Sequence, residues 1–280
     1  MAQRLEVSAH TETGRVRAIN EDSFLAADPM FFVADGMGGH SFGDRASQAA
    51  IAALAARVPA GSDPSPDDVR EAVASANYAV RDLSEPEDRG AARAGTTLTG
   101  VARVATDTGP HWMVVNIGDS RVYSWDGRAL EQVTVDHSAV QELLDTGAIT
   151  PEQAMYHPER NVITRALGAD DIVEPDVWVL PATGTRTFMI CSDGLTKELS
   201  DQLIASILAG DVIFGDEPEG SIAPQLVEAA DVAGGHDNIT VIVLSVHADR
   251  TTTNGDANDA DDAEGDTDDT IERPSQPALR

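Results

Sequence analysis

The sequence predicts an α+β fold in which antiparallel hairpins and helices form separate layers. Three observations carry this. Short apolar runs recur along the chain, bounded by Gly, Asp or Pro. Several neighbouring runs are separated only by short polar turns, at 107–110 and 126–127, which favours antiparallel hairpins. Helical stretches interrupt the strands in clusters rather than in the regular alternation of a parallel α/β sheet. Hydrophobic residues are 41% of the 280, enough for a sizeable core.

The elements follow in order. The first strand run is 23–34 (SFLAADPMFFVA), and an Ala-rich helix spans 44–58. Ser65 reads as a helix N-cap with Pro66, Asp67 and Asp68 in the first turn. Val69, Val73, Ala76 and Val80 continue that helix at helical spacing. Strand runs follow at 96–105, 111–117 and 121–125. Thr150-Pro151-Glu152-Gln153 has the form of a capping box. Strands at 176–180 and 185–191 lead to helices at 200–208 and 221–232, the second stopped by Gly234-Gly235. A strand at 238–246 closes the folded domain, expected over 1–249. Residues 250–280 are acidic and nearly free of large apolar groups, and a disordered tail is expected there.

The formal net charge is −29, from 48 acids against 19 Lys+Arg. The tail holds nine acids and three Arg, so the body is strongly acidic as well. This balance argues against nucleic acid as a partner, because a phosphate backbone is bound through Lys and Arg. It equally argues against an anionic membrane surface. No apolar run reaches the roughly 18 residues of a membrane span. The first residues, MAQRLEVSAH, lack an apolar signal region, so a cytoplasmic protein is expected. A single cysteine, Cys191, excludes an internal disulfide and a cysteine zinc cluster. Lysine is nearly absent among the basic residues, as in a GC-rich genome or a salt-adapted proteome.

Five segments place acids beside Gly or Asn near strand ends. They carry Arg17, Glu21 and Asp22 (RVRAINEDS), Asp35 (VADGMGGH), Asp119 (IGDSR), Asp193 (ICSDG) and Asp237 (GGHDNITVIV). Carboxylates held rigidly at several strand ends repel one another unless cations bind among them. With no cysteine cluster and no paired histidines at ligand spacing, Mg²⁺ or Mn²⁺ is the natural occupant. Two such ions can bridge a water and clamp a phosphoryl oxygen during in-line attack. Each segment alone is weak, since Asp-Gly is usually a turn. Their order and company carry the signal.

Seven strings, G-x-V-R-x-x-N-E-D-S (14–23), V-A-D-G-M-G-G-H (33–40), A-G-T-T-L-T (94–99), N-I-G-D-S-R-x-Y (116–123), H-P-x-R-N-V-I-T-R-A-L-G (157–168), C-S-D-G-L (191–195) and G-G-x-D-N-I-T-V-I-V (234–243), stand in this order. Over about residues 5–247 the chain thereby resembles the metal-dependent type 2C protein Ser/Thr phosphatases in their bacterial form. The resemblance implies a four-layer α-β-β-α sandwich, two antiparallel sheets with helices outside. It implies hydrolysis of phosphoserine and phosphothreonine on proteins by direct attack of a water bridged between two Mn²⁺ or Mg²⁺ ions. It makes Asp35 the bridging carboxylate, with the Gly36 carbonyl on one ion. Asp193 and Asp237 become ligands of the other ion, and Glu21 and Asp22 further ligands, some through water. Asp119 with Asp193 resembles a third, weaker site, and Arg17 matches the phosphate-binding arginine. The implied partners are bacterial Ser/Thr kinases and their substrates, and a monomer is expected.

One departure stands out. Eukaryotic relatives have His directly after the Asp-Gly, where this chain has Met37. Protonation of the leaving group is thereby unassigned, the alternatives being metal-bound water and another histidine such as His40 or His157. The segment 136–168 corresponds to the family's variable flap. The remaining features have plainer readings. Cys191 lacks the downstream Arg of a cysteine-phosphatase loop, Lys197 standing there instead, and reads as a small buried residue. Arg121 and Arg165 read as structural ion pairs, His137 as a turn or flap residue, and Trp112, Trp125 and Trp178 as sheet residues. The rival reading is a catalytically silent phosphoprotein-binding module of the same fold. Its signature is loss of a metal carboxylate, and Asp35, Asp193 and Asp237 are all present.

Overall fold

Strands that are apolar on both faces need cover on both sides. The central strands of this chain are of that kind. The structure, a computed structural model, describes residues 3–38, 42–83, 94–214 and 222–248. The expected tail at 250–280 and His40 lie outside the described residues.

The chain begins with β1 (Gln3–Glu12), β2 (Asp22–Ala27) and β3 (Met30–Met37), followed by α1 (Gly43–Arg57) and α2 (Pro66–Asp82). Next come β4 (Gly95–Thr96), β5 (Leu98–Thr106), β6 (Gly109–Ile117), β7 (Arg121–Trp125) and β8 (Leu130–Gln132). Two short helices follow, α3 (Ala139–Asp145) and α4 (Pro151–Ala154), then β9 (Asp176–Pro181) and β10 (Arg186–Cys191). Helices α5 (Asp193–Thr196), α6 (Asp201–Leu208) and α7 (Ile222–Ala233) precede the last strand, β11 (Ile239–Ala248).

One sheet has the order β1-β11-β10-β7-β8, the other β2-β3-β5-β6-β9 with β4 paired to β3, and the ladders are antiparallel. Alternation along the strands divides the core in three. Phe31 and Val33 of β3, Trp112 and Val114 of β6, Phe188 and Ile190 of β10 and Ile242 and Leu244 of β11 meet between the sheets. Met30, Phe32 and Ala34 point the other way, against Ala46, Ala50 and Leu54 of α1 and Val73 and Val80 of α2. Met189, Cys191, Val241 and Val243 pack under Ile204 and Ile207 of α6 and Leu226 and Ala230 of α7. The result is the α-β-β-α sandwich expected from the resemblance.

Local signals account for the helix boundaries. The Ser65 hydroxyl accepts from the Asp68 N–H (3.2 Å) and the Asp68 carboxylate from the Ser65 N–H (2.9 Å), closing the capping box of α2. Thr150 and Gln153 do the same for α4. Gly235, at φ +58°, ends α7. The run 23–34 is not one strand but a hairpin. Pro29 has no N–H for a ladder, so the chain turns at Asp28-Pro29 into β3. The Asp28 carboxylate takes a bidentate pair from Arg103 at 3.0–3.1 Å. Strands β1 and β8 and helix α3 add to the elements read from sequence.

The stretches read as core are buried: Cys191 is fully enclosed, and burial pushes its thiol up to about 12. Trp112, Trp125 and Trp178 are buried in the sheets. Among the described residues no helix is long and apolar enough to cross a membrane.

Candidate active site

Antiparallel register gathers the acids at one end of the sandwich. Asp22 opens β2 and stands opposite Asp35 of β3. Glu21 immediately precedes Asp22. Asp193 follows β10 and Asp237 precedes β11, and these strands pair with Cys191 opposite Val241. Asp119 lies in the turn from β6 to β7, and Arg121 of β7 also stands opposite Cys191. Residues spread over more than 200 positions thus share one strand-end surface.

The local backbone is built for close approach. At Gly36, whose N–H donates to the Glu21 carbonyl (3.2 Å), a Cβ would come within 2.5 Å of that same oxygen. The Gly36 carbonyl faces Gly43 at the start of α1, where a Cβ would be 2.9 Å from it. Gly118 takes φ +105° to turn the chain into Asp119. His137 pins that turn: its N–H donates to the Gly118 carbonyl (2.9 Å), and its Nδ1 accepts from the Gly118 N–H (3.1 Å). Its Nε2 sits 3.2 Å from Asp176 Oδ2, and Asp176 also holds Arg165 at 2.6 Å. Arg121 grips Asp136 with two donors at 2.7–2.9 Å. Arg121 and Arg165 thus form the ion pairs read from sequence, and His137 sits at a turn.

The acids have few partners. Asp22 Oδ2 accepts from Ser192 Oγ (2.8 Å) and Thr240 Oγ1 (2.7 Å), while its Oδ1 is buried without a partner. Asp119 Oδ1, Asp193 Oδ1 and Asp44 Oδ1 are in the same condition. Burial pushes the Asp22 carboxyl up to about 7 against its Thr240 and Ser192 donors, with Asp193 and Asp237 adding repulsion. Burial likewise pushes Asp119 up to about 7, helped by Asp193 and Asp136 and countered by Lys197. Asp35 is raised well above the ordinary range by burial and by Asp22, Asp193, Asp119 and Asp237. Two cations answer this charge. Arg17 Nη2 lies 2.8 Å from Asp237 Oδ1, and Lys197 Nζ lies 2.5 Å from Asp193 Oδ2 and 3.2 Å from Asp237 Oδ2. Burial opposes the Lys197 charge, but Asp193 and Asp237 outweigh it and hold the ammonium protonated.

Buried, unpartnered carboxylate oxygens together with a backbone carbonyl form an all-oxygen donor set that suits a hard divalent cation. Among the described residues no three His, Cys, Asp or Glu side chains are already drawn together closely enough to hold an ion by themselves. An ion bound among these acids would need water to complete its shell, as Mg²⁺ usually does. A cleft of about 830 Å³ opens over the cluster, lined by Arg17, Asp119, Asp193 and Asp237 and by Leu144 and Met155 of the 136–168 segment.

A sequence profile of the family described as Protein phosphatase 2C matches residues 11–214. The chain belongs to the protein phosphatase 2C family. Serine/threonine protein phosphatase PstP of Mycobacterium tuberculosis is 39% identical over 246 residues, 86% of this chain and 45% of that protein. The chain thus spans about half the length of that curated relative. Protein phosphatase PhpP of Streptococcus pneumoniae is 34% identical over 253 residues, 87% of this chain and 98% of the relative. Among solved structures, the catalytic domain of PstP in complex with two manganese ions superposes with a TM-score of 0.73 at 38% identity. That match covers 88% of this chain and 100% of the other.

Sequence reasoning within this phosphatase 2C chain missed two groups. Asp44, in the first turn of α1, adds a buried unpartnered oxygen and raises the Glu21 carboxyl, whose main cause of elevation is burial. Its only sequence signal was an acid at a helix start. Lys197 was read only as a missing arginine; its i,i+4 spacing from Asp193 was the available sign. His157 caps its own turn, its Nδ1 accepting from the Glu159 N–H at 3.2 Å.

Proposed function

We propose that this chain is a metal-dependent protein serine/threonine phosphatase acting on phosphoserine and phosphothreonine. The supporting observation is the set of buried, unpartnered oxygens of Asp22, Asp119 and Asp193 at the strand ends, beside the cationic Arg17. In this reading Glu21, Asp22, Asp35, the Gly36 carbonyl, Asp193 and Asp237 hold two Mn²⁺ or Mg²⁺ ions, with Asp119 and Asp193 serving a third. Bound there, such ions supply Lewis acidity to a phosphoryl group and bring the pKa of water towards neutrality.

The chain's own groups do the positioning. Ser192 and Thr240 fix the rotation of the Asp22 carboxylate, leaving Oδ1 free to face the site. Arg17 presents a planar fork that matches two phosphate oxygens. Its exposed position at the cleft suits a group that meets substrate. The substrates are proteins phosphorylated by bacterial Ser/Thr kinases, and the kinases themselves.

Hydrolysis of p-nitrophenyl phosphate and of a phosphothreonine peptide is expected with Mn²⁺ and is expected to vanish on chelation. Absence of metal-dependent turnover would leave the chain a binding module. Arg17→Ala removes a charged hydrogen bond to phosphate, so KM for the phosphopeptide is expected to rise about 10- to 100-fold. Unchanged kinetics would take Arg17 out of the site.

A further inference from the structure

Lys197 is the only lysine in 280 residues; the other eighteen basic residues are arginine. That single ammonium sits between two acids of the cluster, 2.5 Å from Asp193 Oδ2 and 3.2 Å from Asp237 Oδ2. We propose that Lys197 is a built-in counter-ion for the Asp193–Asp237 pair, displaced when a divalent ion binds there, and that it thereby sets the metal affinity of the site. The inference rests on the metal-dependent reading above and concerns what that reading leaves open, namely how the cluster survives without ions and what an arriving ion must remove.

Asp237 shows why displacement is needed. Its Oδ1 accepts from Arg17 (2.8 Å) and from the Asn238 N–H (3.0 Å), and its Oδ2 faces Lys197. Among the described residues, the ion pairs that reach the cluster come from Arg17 and Lys197. Asp193 differs, because its Oδ1 is open while its Oδ2 is against the ammonium. An ion that uses both carboxylates meets the ammonium at the shared edge, and like charges there repel.

The residue type fits the task. Arginine grips a carboxylate with a rigid two-pronged fork, whereas lysine carries a compact charge on a flexible four-carbon stem. The Lys197 side chain is 37% exposed, so the stem has a path into the open cleft. The chain has arginine at its other eighteen Lys/Arg positions and carries, at this one, the cation that can withdraw.

Calorimetric titration with Mn²⁺ tests this in the full chain. Lys197→Met keeps the stem and removes the charge. It is expected to bind Mn²⁺ about tenfold more tightly, the order of one partly screened repulsion between like charges, and to melt at a lower temperature without ions. Lys197→Arg is expected to bind Mn²⁺ more weakly than wild type. Reductive ¹³C-methylation labels Lys197 and the amino terminus alone. On addition of Mg²⁺ the Lys197 signal is expected to move to the position of a free, solvated lysine. Unchanged or weaker Mn²⁺ binding by Lys197→Met would overturn the proposal, because the ammonium would then be orienting Asp193 for the ion. A wild type that takes up no Mn²⁺ overturns the metal-dependent reading as well, so the two failures are told apart.

Discussion

Asp35→Asn is expected to abolish ion-dependent hydrolysis and, in the same protein, to raise the melting temperature without ions. Asp35 stands at the focus of the cluster, where Asp22, Asp119, Asp193 and Asp237 all act on its charge. Asparagine keeps the shape and removes that charge. For activity the loss is expected to reach at least about 10²–10³-fold, the effect of deleting one preorganised electrostatic group. For stability the sign reverses, because the folded chain no longer has to carry or neutralise a buried carboxyl among four other acids. For a domain of this size each 1 kcal/mol of relief is worth about 2–4 °C. Thermal melts in EDTA and rates in Mn²⁺ check both halves. A variant that melts lower, or that keeps its rate, would contradict the placement of Asp35.

The second large effect is a pH dependence that runs opposite to ordinary acid denaturation. Asp22 and Asp119 titrate near 3.8 when free and near 7 in the fold. Between those values the native chain binds more protons than the unfolded chain, so stability falls as pH rises through that window. Asp35, Asp193 and Glu21 are raised too and act with the same sign. The ion-free protein is therefore expected to be more stable at about pH 5 than at about pH 7.5. Saturating Mg²⁺ is expected to reverse the order, because ions bind the deprotonated carboxylates. Urea midpoints at the two pH values, with and without Mg²⁺, read the effect directly. A midpoint in EDTA that rises with pH would show that these acids carry no mutual strain.

The fold was legible where burial is two-sided and obscure where it is not. Strands β3, β6, β10 and β11 bury residues on both faces, so their apolar runs stand out. Strand β1 is an edge of its sheet, offering only Leu5 and Ala9 to the core between sheets and leaving Val7 44% exposed. Helix α3 buries none of its residues, so no apolar stripe marks it. The acids that the fold gathers at one end were legible because the segments that carry them lie at strand ends and contain Gly or Asn, a local pattern. Lys197 and Asp44 were not, because their importance lies in which distant carboxylates they approach. The hairpin inside 23–34 was missed because apolar residues run up to its two-residue turn on both sides. Only Asp28-Pro29 marks the reversal.

One amide ties the segment that carries Arg17. Asn238 donates from Nδ2 to the carbonyls of Thr13 and Ile19, both at 2.9 Å, and its Oδ1 accepts from the Glu21 N–H at 2.9 Å. The carbonyl of Gly235 takes the Arg15 N–H at 2.7 Å. The stretch from Thr13 to Glu21 is thus a loop already closed at both ends against the start of β11. Its closure entropy is lost during folding, before any ligand arrives. In the proposed reading, a phosphate that reaches Arg17 meets backbone that is already ordered, and what is left to arrange is the Arg17 side chain, held at 2.8 Å by Asp237. The free energy of that contact can therefore go into affinity instead of into arranging backbone.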